Sequence, residues 1–217
     1  MFVTKIERQK RHGQRVNVYL DDAFAFGIHE EVLVNFGIKK GDHLTPQSIK
    51  EIESAEEFNL AKEKAFRLLH YRLRSEQELR RRLEEQEFHP AVIDKTIERM
   101  RSAGIIDDNK FARAFVHQLL MRKPAGKALL QRELRARGIS KETIEEIVHE
   151  TLGETEEQRL AREAVKKIMK RRHSTGNPLD EKKQNQKIAN FLLRRGFGWA
   201  TIKSILQSFS DNQTVEE

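Results

Sequence analysis

Residues 79–100 read LRRRLEEQEFHPAVIDKTIERM, with apolar positions at Leu79, Leu83, Phe88, Ile93, Ile97 and Met100. The steps between them are 4, 5, 5, 4 and 3. Steps of 3 or 4 keep side chains on one face of an α-helix, and two successive steps of 5 do not. The pattern predicts two helices joined at a sharp turn, with Phe88 dropping into the core between them. Pro90 suits the first turn of the second helix, where a missing backbone N–H costs nothing.

The same ladder occurs twice more. Leu130, Leu134, Ile139, Ile144, Val148 and Thr151 repeat the spacings, and so do Ile188, Leu192, Phe197, Ile202, Leu206 and Phe209. Only Thr151 breaks the apolar class. Gly138 and Gly196 directly precede the turn residues Ile139 and Phe197, as expected of left-handed helix ends. Ser140, followed by Glu142 and Thr143, reads as a helix N-cap. A further helix precedes each ladder: Ala65, Leu68, Leu69 and Leu73 match Ala112, Phe115, Val116 and Leu120, then Ala161, Ala164, Val165 and Met169. Three helices per unit, three units in tandem, is the expected architecture. Units of about 45 residues bury little alone and need their neighbours.

The first residues differ. FVTKIERQ, RVNVYL and AFAFGIH alternate in polarity and are β-branched or aromatic, with turns at KRHG and Asp21-Asp22. They predict short strands. EEVLVNFGI predicts a short helix ending near Gly37, and Thr45-Pro46 opens a long helical stretch. The expected fold class is mainly α: an elongated tandem of three helix-turn-helix-like units behind a small N-terminal extension containing a β-hairpin. The expected boundaries are 1–57 for the extension, 58–106, 107–153 and 154–210 for the units, and 211–217 for a disordered tail. RRHSTGNPLDEKKQNQ, residues 171–186, reads as a flexible charged loop.

Composition narrows the chemistry. Hydrophobic residues are 37% and charged residues 35% of the 217, so the chain is charge-rich yet has too much Leu, Ile, Val and Phe for wholesale disorder. It has no cysteine, which excludes disulfides, thiolate metal sites and a cysteine nucleophile. The start lacks the apolar core of a signal peptide, and no stretch is long and apolar enough for a membrane span. A cytoplasmic protein without membrane attachment is expected. The eight histidines form no close metal-ligand spacing. PAGK, residues 124–127, lacks the first glycine of a phosphate-binding loop, and Ala128 stands where its Ser or Thr belongs. No enzyme activity, metal or cofactor is expected. Asp107-Asp108 sits where a new helix begins, and there an aspartate accepts backbone N–H bonds and complements the helix dipole.

Charge carries the functional signal. Net charge is +7, and residues 161–217 hold 12 basic against 6 acidic side chains. Blocks of one sign create fields suited to phosphate or to an acidic protein surface. The candidate contact residues are Arg81, Lys123 and Lys127, then Arg132 and Arg135. The remaining candidates are Lys170-Arg171-Arg172 and Arg194-Arg195.

GIIDDNKFARAFV, KPAGKALLQRELRARGIS and FLLRRGFGWATIKSIL, in this order, resemble the RecX family of RecA recombinase regulators. The likeness runs from about Leu60 to Phe209. It implies a tandem of three-helix units that lies in the groove of the RecA–DNA filament and opposes ATP hydrolysis and strand exchange, with the basic residues touching recombinase or DNA. The expected partners are the RecA filament and nonspecific DNA, single- or double-stranded, and the expected state is a monomer. Two alternatives stand beside it: a stand-alone nonspecific DNA-binding protein of helix-turn-helix type, and a helical scaffold for another acidic protein. Against base reading, SKETIEEIVHET is acidic and HPAVIDKTIERM is poor in Arg, Asn and Gln.

Overall fold

The computed structural model describes residues 1–10, 13–169 and 178–213. Lys170, Arg171 and Arg172 lie outside the described residues, as do residues 214–217 of the expected tail. The chain divides into two compact units, Met1–Ile106 and Asp107–Glu217. Among the described residues no helix is long and apolar enough to cross a membrane.

The first unit opens with an antiparallel sheet ordered β1 (Val3–Arg8), β2 (Arg15–Leu20), β3 (Ala23–His29). Strict alternation along β2 puts Val16, Val18 and Leu20 inward. Asp21 and Asp22 turn β2 into β3 with φ of +48° and +67°, the signs a tight two-residue hairpin requires. Helix α1 (Glu30–Asn35) follows, and then α2 runs unbroken from Pro46 to Tyr71. The Thr45 hydroxyl accepts the Ser48 amide at 3.1 Å to cap it, with Pro46 at the first position. Because α2 passes through residues 57–58, the extension and the first three-helix unit share one helix. Its N-terminal half covers the sheet, burying Ile52 with Val3, Val18, Ile28 and Leu44. Glu56 fastens the two together: buried, it meets the Arg15 guanidinium at 2.6 Å and accepts the His29 amide at 2.7 Å.

The C-terminal half of α2 joins α3 (Glu76–Glu84) and α4 (Pro90–Ser102) around Ala65, Leu79, Leu83, Ile93, Ile97 and Met100. One expected core position fails. Leu73 is 58% exposed, because α2 ends at Tyr71 and Arg72 takes extended backbone, φ −161°, which removes Leu73 from helical register.

The second unit contains α5 (Asp108–Arg122), α6 (Lys127–Arg135), α7 (Lys141–Thr151), α8 (Glu154–Met169), α9 (Pro178–Arg194) and α10 (Trp199–Gln213). Its six helices share one core, from Phe111 to Ile205. Leu130, Leu134, Ile139, Ile144 and Val148 are buried there as the spacing predicts, with Ile188, Leu192, Phe197 and Ile202 beside them. Thr151, the one polar member of the ladder, is half-buried, while Leu152 next to it is fully buried. Two expectations need correction. Residues 178–186, read as flexible loop, form the start of α9, with Pro178 as its first residue, where a fixed φ suits a helix. At the other end, α10 continues to Gln213, into the expected tail.

All three ladders turn through a left-handed residue: Glu87 at φ +60°, Gly138 at +77° and Gly196 at +80°. In the latter two the next amide reaches back to the helix, Ile139 to the Leu134 carbonyl at 3.3 Å and Phe197 to that of Leu192 at 3.1 Å. This closes the helix and aims the apolar residue inward. Ser140 then caps α7, accepting the Thr143 amide at 3.2 Å, and His89 Nδ1 caps α4, accepting from Ala91 at 3.2 Å. Asp107 caps α5: its Oδ1 accepts the Lys110 amide at 3.0 Å. That bond, more than the Lys110 ammonium nearby, holds the Asp107 carboxyl below its usual range.

Only Glu87 carries a Cβ through the left-handed turn. Glu87→Gly should stabilise the protein by about 0.5–1 kcal/mol, relief of strain outweighing the added freedom of the unfolded chain; thermal denaturation checks it. Asp107→Ala should cost about 1 kcal/mol at neutral pH. Since folding lowers the Asp107 pKa, its contribution is complete above the unfolded value, about 4, and disappears as pH falls through the folded value. The stability gap between the two proteins should therefore close in acid.

Candidate functional site

The loop PAGK determines how the second unit presents its cations. Lys123 closes α5 in extended conformation, Pro124 and Ala125 are buried, and Gly126 is the N-cap of α6 without a side-chain cap of its own. The missing cap is replaced by the end of another helix. The Gly126 amide donates to the Arg195 carbonyl at 2.9 Å, and the Ala128 amide to that of Gly196 at 3.0 Å. The positive N-terminus of α6 thus meets the negative C-terminus of α9, a favourable pairing of helix dipoles. Glu157 of α8, only 6% exposed, adds a carboxylate: Oε1 is 3.4 Å from the Lys127 amide and Oε2 is 4.0 Å from the Lys127 ammonium.

Only glycines allow this approach. A Cβ on Gly126 would stand 2.3 Å from the Gly196 carbonyl oxygen, and one on Gly196 would stand 2.1 Å from the Leu129 nitrogen. Both obstacles are backbone and cannot swing aside. The contact also answers what PAGK is. Its first amides are engaged by Arg195, Gly196 and Glu157, so they form a helix junction and not a phosphate cradle.

The junction gathers charges that are far apart in sequence. Arg195 donates to the Pro124 carbonyl at 3.5 Å and lays its guanidinium over the Phe191 ring at 5.1 Å. Lys123, Lys127, Arg194 and Arg195 therefore share one region of the second unit. They differ in freedom: Lys123 and Arg194 are exposed, Lys127 faces buried Glu157, and Arg195 is half-buried.

Other candidates fall elsewhere. Arg132 is 69% exposed with Glu133 at 3.8 Å, and Arg135 is exposed one turn on along α6. In the first unit Arg81 is 80% exposed with Glu85 at 3.5 Å. On the opposite side of the charge balance, Arg113 of α5 binds Glu146 at 3.0 Å and also Glu150. The acidic face of α7 is thus partly neutralised from within.

Two features escaped sequence reasoning. No Asp or Glu occurs from Asn109 to Arg132, or from Lys182 to Ser210. These two acid-free stretches are the ones joined at Gly126 and Gly196. Counting missing acids, rather than clustered bases, is the signal that finds them. The second feature is Trp199, the single tryptophan, 63% exposed just beyond the junction.

The fold defines a mainly helical protein of three three-helix domains behind a small three-stranded sheet. Family models place it further. Residues 1–45 match the regulatory protein RecX N-terminal domain, and 61–100, 107–147 and 155–206 match the first, second and third RecX three-helix domains. The regulatory protein RecX of Bacillus subtilis is 34% identical over all of this chain and 81% of its own length. That of Clostridioides difficile is 33% identical over 94% of this chain and 93% of its own. A crystal structure of a regulatory protein RecX superposes with a TM-score of 0.76 at 25% identity, covering 93% of this chain and 97% of that one. The chain belongs to the RecX family of regulatory proteins.

Gly126→Ala and Gly196→Ala should each destabilise the second unit by about 2–3 kcal/mol, since the added methyl meets backbone. Denaturant unfolding checks this. Gly198→Ala, where a Cβ meets nothing within 4 Å, is the control and should cost no more than about 1 kcal/mol, the loss of a glycine N-cap of α10.

Proposed function

We propose that this protein regulates the RecA recombinase in the cytoplasm by binding the RecA–DNA filament and lowering its ATPase and strand-exchange activity, without catalysis of its own. The observation that carries the reading is membership of the RecX family across all four of its domains. The surface agrees with it. Lys123 and Arg194, joined by Lys127 and Arg195 at the helix junction, offer a cationic face to the phosphates or to an acidic recombinase surface. Arg81, Arg132, Arg135 and the Lys170-Arg171-Arg172 cluster are proposed as further contacts. Several weak contacts on one tandem chain add through high effective concentration. Such a ligand holds filament subunits, or blocks an incoming strand, more firmly than any single cluster can.

A sequence-reading helix-turn-helix protein is disfavoured by the third helix of the second repeat, α7. Glu146 and Glu150 on α7 are engaged with Arg113, and an acidic helix is repelled by the phosphates flanking a major groove.

The decisive measurement is RecA's DNA-dependent ATPase titrated with this protein. Inhibition is expected at amounts well below those that coat the DNA; unchanged ATPase and strand exchange would sink the proposal. Exchanging Lys123 and Arg194 together for Ala should raise the half-inhibiting concentration about tenfold, the equivalent of ~1.4 kcal/mol, with helix content unchanged.

A further inference from the structure

We infer that the second unit binds single-stranded DNA directly, with the Trp199 indole stacked on an unpaired base and Arg194, Lys123 and Lys203 meeting phosphates. This deepens the proposed function by assigning the DNA strand, rather than recombinase, as the ligand of this face.

Trp199 opens α10, and its ring stands in solvent while Ile202 and Ile205 of the same helix are fully buried. An indole left 63% exposed forgoes a large burial energy that the adjacent core could have supplied. Its neighbours on the outer stripe are Lys203 at i+4 and Gln207 at i+8, both exposed, with Ala200 beside them. The stripe on α10 therefore carries one aromatic ring, one cation and a neutral hydrogen-bonding group.

Charge points the same way. Trp199 and Lys203 lie within the acid-free stretch 182–210, and the junction brings the acid-free stretch 109–132 against it. Buried Glu157 faces Lys127 and leaves Lys123 and Arg194 free of that carboxylate. A ligand matching this face offers flat π-surfaces alternating with anions, as a polynucleotide does. Duplex DNA keeps its base faces inside the stack, so only an unpaired strand can present one to the indole.

Because Trp199 is the single tryptophan, its emission reports this site alone. Full-length protein, with no recombinase present, is titrated at low salt with an oligo(dT) about 15 nucleotides long. Saturable quenching is expected, with little from a duplex of equal length or from polyglutamate. By anisotropy of labelled oligo(dT), Trp199→Ala should weaken binding about tenfold, within the range for loss of one stacked base, whereas Trp199→Phe should retain most of the affinity. Lys203→Ala should reduce the slope of log affinity against log salt by about 0.7, one phosphate's share for a single strand. Unchanged affinity in Trp199→Ala, or quenching by duplex or polyglutamate equal to that by oligo(dT), overturns the inference. A uridine strand bound more tightly than oligo(dT) overturns the assignment to DNA. If oligo(dT) binding fails while ATPase inhibition persists, this site is wrong and the regulator reading stands. The reverse result separates them the other way.

Discussion

A left-handed residue between the second and third helices governs each three-helix unit, because it decides where the following apolar side chain goes. At Gly138 the chain reverses within a single residue, the Leu134 carbonyl is satisfied, and Ile139 drops between the helices. Gly196 does the same for Phe197 and takes on a second role. Its carbonyl accepts an amide from α6, so one glycine both closes its own helix and caps another. The first role needs a positive φ and the second needs the absence of a Cβ. Glu87 performs only the first, and a side chain is accordingly tolerated there.

Much of the fold was legible because each repeat writes its core in single residues. Leu79, Leu130 and Ile188 begin ladders whose steps follow from helix geometry, and a run of two 5s has no helical explanation other than a turn. The strands were legible from alternation, the caps at Thr45, Asp107 and Ser140 from residue type. Leu73 misled because it continues the periodicity of a helix that has already ended, and periodicity alone does not report where a backbone leaves register. The start of α9 was hidden for a related reason: after Leu179 the run DEKKQNQ is polar throughout, so its first turns show no apolar face to mark them as helical.

The candidate site was less legible, and the reason is physical. Gly126 and Gly196 meet through backbone amides and carbonyls, which every residue possesses, so no side-chain pattern announces the pairing. What sequence does record is permission, in the form of two residues without a Cβ. PAGK looked like an incomplete phosphate loop because glycine there allows close approach of another group. The approaching group is the end of α9, and Lys127, a candidate contact residue, faces Glu157. Basic clusters chosen by density alone thus mixed exposed cations, such as Lys123 and Arg194, with half-buried Arg195, which helps hold the junction.

The repeats agree in their cores and disagree on their surfaces, and that contrast locates function. Arg81 and Arg132 occupy the same place in successive ladders, yet each has a carboxylate close by in its own unit, and the third ladder has Asn190 there. A charge that recurs with the fold and is balanced locally contributes mainly to solvation. The cations around the α6–α9 junction behave differently. Lys123 and Arg195 do have counterparts in other units, Arg72 and Arg137, but the cations here come from two stretches without a single acid, and a backbone contact that excludes any side chain brings them together. Local neutrality is the default for a protein in which 35% of residues are charged. A region that departs from it carries a self-repulsion that an anionic ligand relieves, and it is there, before the repeated faces, that the main contact is to be sought.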